Sequence, residues 1–181
     1  MNHEATVKRL CRIYDKADDA TIEAGTTWYE ATRMTCRHLA DDYGYPLNVV
    51  AAAMAVLSPN ITYAQNVDAI QKMVRAAADG LSEPVVSGFG RNRRKAWDIL
   101  LTRDTTLVTG PKVSNFYANI IGDENLVTVD IWATRAALGR DVPGRDFAAI
   151  QRAYQTAARR RGVAPRDFQA VVWCVVRGGA R

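Results

Sequence analysis

The chain has few of the residues from which redox and metal sites are built. It holds three cysteines, Cys11, Cys36 and Cys174, and two histidines, His3 and His38. Three widely spaced cysteines form neither a disulfide framework nor a Cys-x-x-Cys knuckle, and two histidines need carboxylate help to hold a metal. No metal or cofactor is therefore expected. No apolar run approaches the roughly 18 residues that a membrane-spanning helix needs, so no membrane association is expected. The opening stretch MNHEATVKRLCRIYDKADD is charged throughout, unlike a signal peptide. A reducing, cytoplasmic setting is the expectation. Strand signals are scarce too: β-branched runs are short, and glycine and proline fall where helices end. No repeat, linker or low-complexity segment stands out.

The 181 residues are 48% hydrophobic, enough for one globule or two small lobes around a substantial core. Charge is divided unevenly. Residues 1–90 carry 8 Lys/Arg and 11 Asp/Glu, a net of −3, whereas residues 91–181 carry 16 and 8, a net of +8. A basic half joined to an acidic one suits a polyanion approached from one side, or a plain solvated basic surface.

Helical punctuation runs along the whole chain and predicts an all-α fold. Thr27 and Glu30 have capping-box spacing for a helix reaching Tyr43, which Gly44 ends. Pro46 suits the start of LNVVAAAMAVL, a segment apolar nearly all round and so expected at the centre of a core. Ser58-Pro59-Asn60 breaks it. A helix is predicted over about 63–78, stopped by Gly80, and another over about 93–101, capped by Asn92, with Ala96, Trp97, Leu100 and Leu101 on one face. Pro111 opens a helix that Gly122 closes. Asp130 opens the next, which ends at Gly139. Asp146 caps a helix to about Arg161, and Pro165 begins the last.

One stretch needs explaining. VTVDIW places the carboxylate of Asp130 between Val129 and Ile131, and Lys112 follows a Gly-Pro turn 18 residues upstream. TGPKVSNFYANI followed by VTVDIWATRAALG resembles the helix-hairpin-helix DNA glycosylase superfamily, the endonuclease III-like base-excision enzymes. VVAAAMAVLSPNITYAQNVDAI is similar to that family's apolar helix ending in Leu-Ser-x-Gln, and GFGRNRRKAWDIL to its Gly-x-x-x-x-Lys-Ala segment. The three blocks occur in the family's order across roughly 47–140.

The resemblance implies a two-lobed helical fold, with lobe A near 45–140, lobe B formed by 1–44 and 141–181, and a cleft holding Asp130 and Lys112. It implies Asp130 as the catalytic carboxylate. Cleavage of an N-glycosidic bond builds positive charge on the sugar, which a nearby carboxylate stabilises. The plainer reading of Asp130 is an ordinary helix cap. Lys112 becomes a Schiff-base nucleophile, as in bifunctional members, or a cation near phosphate. Gly110, Pro111 and Lys112 would bind phosphate at a helix N-terminus. Asn60 becomes a wedge in the base stack or a helix cap. Arg91, Arg93, Arg94 and Lys95 would track phosphates of DNA, the implied partner. Pocket walls would come from among Trp28, Tyr29, Tyr63, Phe116 and Trp132.

This sequence also departs from the family. Val108 replaces the first hairpin glycine, and the segment TRDTTLVT leaves room for at most one turn of the first hairpin helix. Trp132 stands near the family's histidine, and the four-cysteine iron–sulfur cluster is absent. Some phage-associated relatives of the superfamily act in thymine hypermodification, replacing an activated group on a modified pyrimidine with an amine. A second function is therefore a transferase of that kind, and a third a non-catalytic DNA-binding protein.

Overall fold

The computed structural model describes residues 1–139 and 146–178. Nine α-helices run through them: α1 His3–Tyr14, α2 Asp19–Tyr43, α3 Leu47–Leu57, α4 Tyr63–Ala78, α5 Gly90–Thr102, α6 Pro111–Ile121, α7 Ile131–Leu138, α8 Phe147–Arg161 and α9 Pro165–Arg177. A single 3-10 turn, Thr105–Leu107, lies between α5 and α6. No strand occurs among the described residues, so the fold is all-α. No described helix is long and apolar enough to cross a membrane.

The chain divides into two units, Met1–Glu30 with Gly122–Arg181, and Ala31–Ile121. The division falls at 30/31, inside α2, and at 121/122, rather than near 45 and 140. Asp130 and α7 therefore belong with the terminal helices.

The unit spanning Ala31–Ile121 is organised by α3. Every residue from Val49 to Leu57 is buried, because α4, α5 and α6 all pack against this one helix. A helix with no polar face has no other stable position in water. The capping box proves to be Thr62 with Gln65 at the start of α4. Asn66, one turn on, is buried and donates from Nδ2 to the Met54 carbonyl at 3.2 Å, tying α4 to α3. On α5 the inward residues are Ala96, Trp97, Ile99 and Leu100, whereas Leu101 is 57% exposed. The helix starts at Gly90, so Asn92 lies inside it, and it ends on Arg103 in the left-handed region (φ 59°).

The terminal unit packs α1, α7, α8 and α9 around Leu10, Val129, Tyr154, Phe168 and Val172. Tyr14 stacks flat on Phe168 with centroids 4.7 Å apart. Helix α2 begins at Asp19, eight residues before Thr27, with Asp18 Oδ1 accepting from the Thr21 N–H at 2.8 Å. Thr27 is a mid-helix residue whose hydroxyl donates to the Glu23 carbonyl at 2.7 Å, an alternative that the capping pattern did not distinguish. Gly25 brings the first half of α2 against α9. A Cβ at that position would stand 2.5 Å from Val171 Cγ2 and 2.6 Å from its Cα.

Candidate functional site

Asp130 sits where an extended segment leaves the core of the terminal unit. Val127, Thr128 and Val129 are buried, and Ile131, at the first position of α7, is 36% exposed. Between them Asp130 has extended dihedrals (φ −89°, ψ −171°) and is the N-cap of α7. Its Oδ1 accepts from the Ala133 N–H at 2.7 Å, and its carbonyl accepts from Thr134 Oγ1 at 2.8 Å. The residue is half-buried. The carboxylate is thus oriented by backbone, at the positive end of a helix.

Two buried phenols support this corner. Tyr154 of α8, fully buried, donates to the Ala133 carbonyl at 3.1 Å. Tyr29 of α2, also buried, donates to Gln169 Oε1 at 3.0 Å. Burial raises the pKa of both, and the Asp130 charge raises it further. For Tyr29 a hydrogen bond with the Thr128 side chain acts in the opposite direction. Both hydroxyls therefore stay neutral at neutral pH, and both feel the charge of this carboxylate. Arg166 extends the polar layer: its Nε donates to Asp167 at 2.9 Å, one of its terminal nitrogens donates to Glu124 at 3.2 Å, and its guanidinium lies 5.7 Å from the Tyr29 ring centre. Of these polar groups, sequence spacing identified only Asp130 and, as an aromatic, Tyr29.

The hairpin residues lie in the other unit. Gly110, with φ +91°, makes the turn, and Pro111 and Lys112 open α6. Lys112 is half-buried. Lys95 on α5 joins this turn, donating from Nζ to Thr109 Oγ1 at 2.8 Å. The first hairpin helix is reduced to the 3-10 turn Thr105–Leu107. The structure thus gathers Lys95, Gly110, Pro111 and Lys112 at one turn, and places Asp130 in the terminal unit.

The remaining basic residues differ from one another. Arg91 and Arg94 are exposed, and Arg94 makes a loose pair with Glu83 at 3.4 Å. Arg93 is half-buried and donates to the Val86 carbonyl at 3.1 Å, so it holds the preceding loop. Its Nε is buried without a hydrogen-bond partner, as is Ser58 Oγ. Asn60 is exposed and adopts φ 62°, the left-handed region that asparagine tolerates better than most residues.

Among the aromatic candidates, Tyr29 and Phe116 are core residues at 3% and 6% exposure. Tyr63 is half-buried and accepts from Thr32 Oγ1 at 3.1 Å. Trp28 packs edge-on to Tyr29 at 4.9 Å. Trp132 is half-buried with the Arg135 guanidinium 4.8 Å from its ring centre. Thiol nucleophiles are disfavoured: burial pushes Cys36 up to about 12 and raises Cys174 as well.

A helical fold with a backbone-oriented carboxylate is shared by many protein classes. By its sequence the chain belongs to the family described as "Family of unknown function (DUF7178)", which matches residues 1–180. No curated protein and no solved structure matches it.

Proposed function

We propose that this protein is a DNA glycosylase-like enzyme acting on a damaged or modified base. The observation that carries the reading is the setting of Asp130. A half-buried carboxylate is fixed by the first turn of α7 and backed by two neutral phenols. Departure of a base leaves cationic character on the sugar, and a pre-oriented carboxylate stabilises that charge without reorganising. The same carboxylate can accept a proton from an attacking water. Lys112 supplies either an amine nucleophile at the sugar C1′ or a cation for phosphate. Support for a DNA substrate comes from the likeness of three sequence blocks to the helix-hairpin-helix glycosylases and from the gathering of Lys95, Gly110 and Lys112 at one turn.

The reduction of the first hairpin helix to three residues favours a second reading, a pyrimidine-hypermodification transferase of the phage-associated kind. In that reaction Asp130 serves as base or orienting group. Incubating the protein with DNAs carrying a panel of damaged or modified bases, with mass spectrometry of the products, separates the two. A released free base supports the glycosylase. A base of altered mass retained in the strand supports the transferase. Binding with no product from any DNA would leave a DNA-binding protein and remove the catalytic role of Asp130.

A further inference from the structure

A second feature of the terminal unit lies along one face of α7, from Trp132 near its start to Gly139 at its end. The helix has 8 residues, so its ends are about 12 Å apart. Along that face, α1, α7 and α9 enclose an open recess of about 470 Å³ lined by Arg9, Ile13, Trp132, Arg135, Gly139 and Val176. That volume is within the ordinary range for small-molecule sites. None of its described lining residues is acidic.

Arg9 and Arg177 are held differently from the arginines of α8. On α8, Arg160 pairs with Glu4 at 2.8 Å and Arg161 with Asp15, both neutralised by carboxylates. Arg9 instead donates from Nε to the Ala136 carbonyl at 2.8 Å, capping α7. Its guanidinium lies flat against Gly139, where an added Cβ would sit 3.2 Å from Cζ and both terminal nitrogens. Arg177 of α9 stacks on Trp173 at 4.5 Å and stands 5.6 Å from Trp132. Arg135 covers Trp132 as well. Stacking fixes a guanidinium by its face, while its N–H donors point outward in the ring plane, the geometry that grips an oxyanion in two places. Carbonyl capping and stacking on indoles also leave the positive charge of Arg9 and Arg177 in place.

We propose that this recess binds a phosphate ester, with Arg9 and Arg135 of its lining and Arg177, which borders it beside Trp132, holding the phosphate oxygens and the Trp132, Ile13 and Val176 surfaces receiving the attached organic group. Binding in the recess does not depend on the chemistry assigned to Asp130, although Trp132 stands two residues from that carboxylate. The ester is either a free nucleotide or a phosphodiester of a nucleic-acid strand, and titration of the full chain by calorimetry distinguishes them. Three probes are used: inorganic phosphate, a deoxynucleoside 5′-monophosphate and a short single-stranded oligodeoxynucleotide.

Binding of the monophosphate identifies a terminal ester, and binding of the oligonucleotide alone identifies the backbone. Binding of inorganic phosphate alone, or of none of the three, overturns the proposal. Because Arg9 also caps a helix, the decisive variants are Arg135→Gln and Arg177→Gln. Each should weaken binding by about tenfold, the usual scale for one charge-assisted hydrogen bond, with circular dichroism unchanged. Wild-type affinity in either folded variant also overturns it. Asp130→Asn should bind the probes as the wild type does. Loss of their binding in that variant would merge the two sites and overturn the separate recess, whereas absence of base release would leave the recess intact.

Discussion

At Asp130 one side chain serves a local structural need and offers a reactive charge, and a single substitution separates them. Asparagine caps helices as well as aspartate does, so Asp130→Asn should keep the Ala133 N–H bond and the melting midpoint. The negative charge is lost. If it stabilises a developing cation, single-turnover base release should fall by roughly 10²–10³-fold, the cost typical of one such group. Full activity in the folded variant would return Asp130 to an ordinary cap. Lys112 calls for a different measurement. With Lys112 as nucleophile, borohydride traps a covalent protein–DNA adduct in the wild type and none in Lys112→Ala. With Lys112 as a phosphate cation, neither protein is trapped and the variant binds DNA more weakly.

At the scale of elements, the close packing of α2 on α9 is made possible by one missing side chain. Gly25→Ala would place Cβ 2.6–2.7 Å from the Val171 backbone, which no rotamer change relieves. Overpacking of this kind costs about 1–3 kcal/mol, although alanine favours the helix by up to about 1 kcal/mol over glycine. A net loss in denaturant unfolding is expected, and an unchanged midpoint would mean that the two helices separate readily. The start of α5 makes another prediction. Arg91 and Arg94 are the exposed members of the basic cluster, whereas Arg93 secures the Val86 loop. The Arg91→Ala/Arg94→Ala double variant should therefore reduce the salt slope of DNA binding, by about one for each phosphate no longer neutralised, without loss of stability. Arg93→Ala should lower stability. An unchanged slope in the double variant would make this end of α5 a solvated face.

For the whole molecule, acid sensitivity follows from how α1 is fastened to α8. Arg160 holds the Glu4 carboxyl below its ordinary value of 4.5, and Arg161 holds Asp15 below 3.8. A carboxyl depressed in the folded state stabilises fully above its unfolded value and stops doing so as pH falls through the folded one. Both pairs therefore contribute from neutral pH down to the ordinary carboxylate values and fade below them. Both are exposed, so the effect on stability is small. The melting midpoint of Arg161→Ala should fall slightly short of wild type at neutral pH, and the two should converge in acid. A gap that persists at low pH would point to packing by the Arg161 stem rather than its charge.

Much of the helical layout was legible in the chain itself, because helix ends are local events. Asp130, Asp146, Pro111 and Pro165 begin helices where their chemistry predicts, and the run Val49–Leu57 is buried because nothing in it can face water. Where a local pattern had two solutions the sequence did not choose: Thr27 and Glu30 match a capping box, yet α2 starts at Asp19 because the surrounding residues support a continuous helix. Leu101 likewise faces solvent because the packing of α5 on α3 and α4 selected Ile99. Asp130 was visible as a carboxylate in an apolar segment. Its support was not, since Tyr29, Gln169 and Tyr154 come from three helices far apart in sequence, and hydrogen bonds of that range carry no spacing rule. The same holds for the recess at Gly139. Arg9 and Arg177 are exposed and Arg135 is half-buried, and none of the three stands out in the sequence. Only the packing of α1, α7 and α9 brings their charges around one glycine and two indoles.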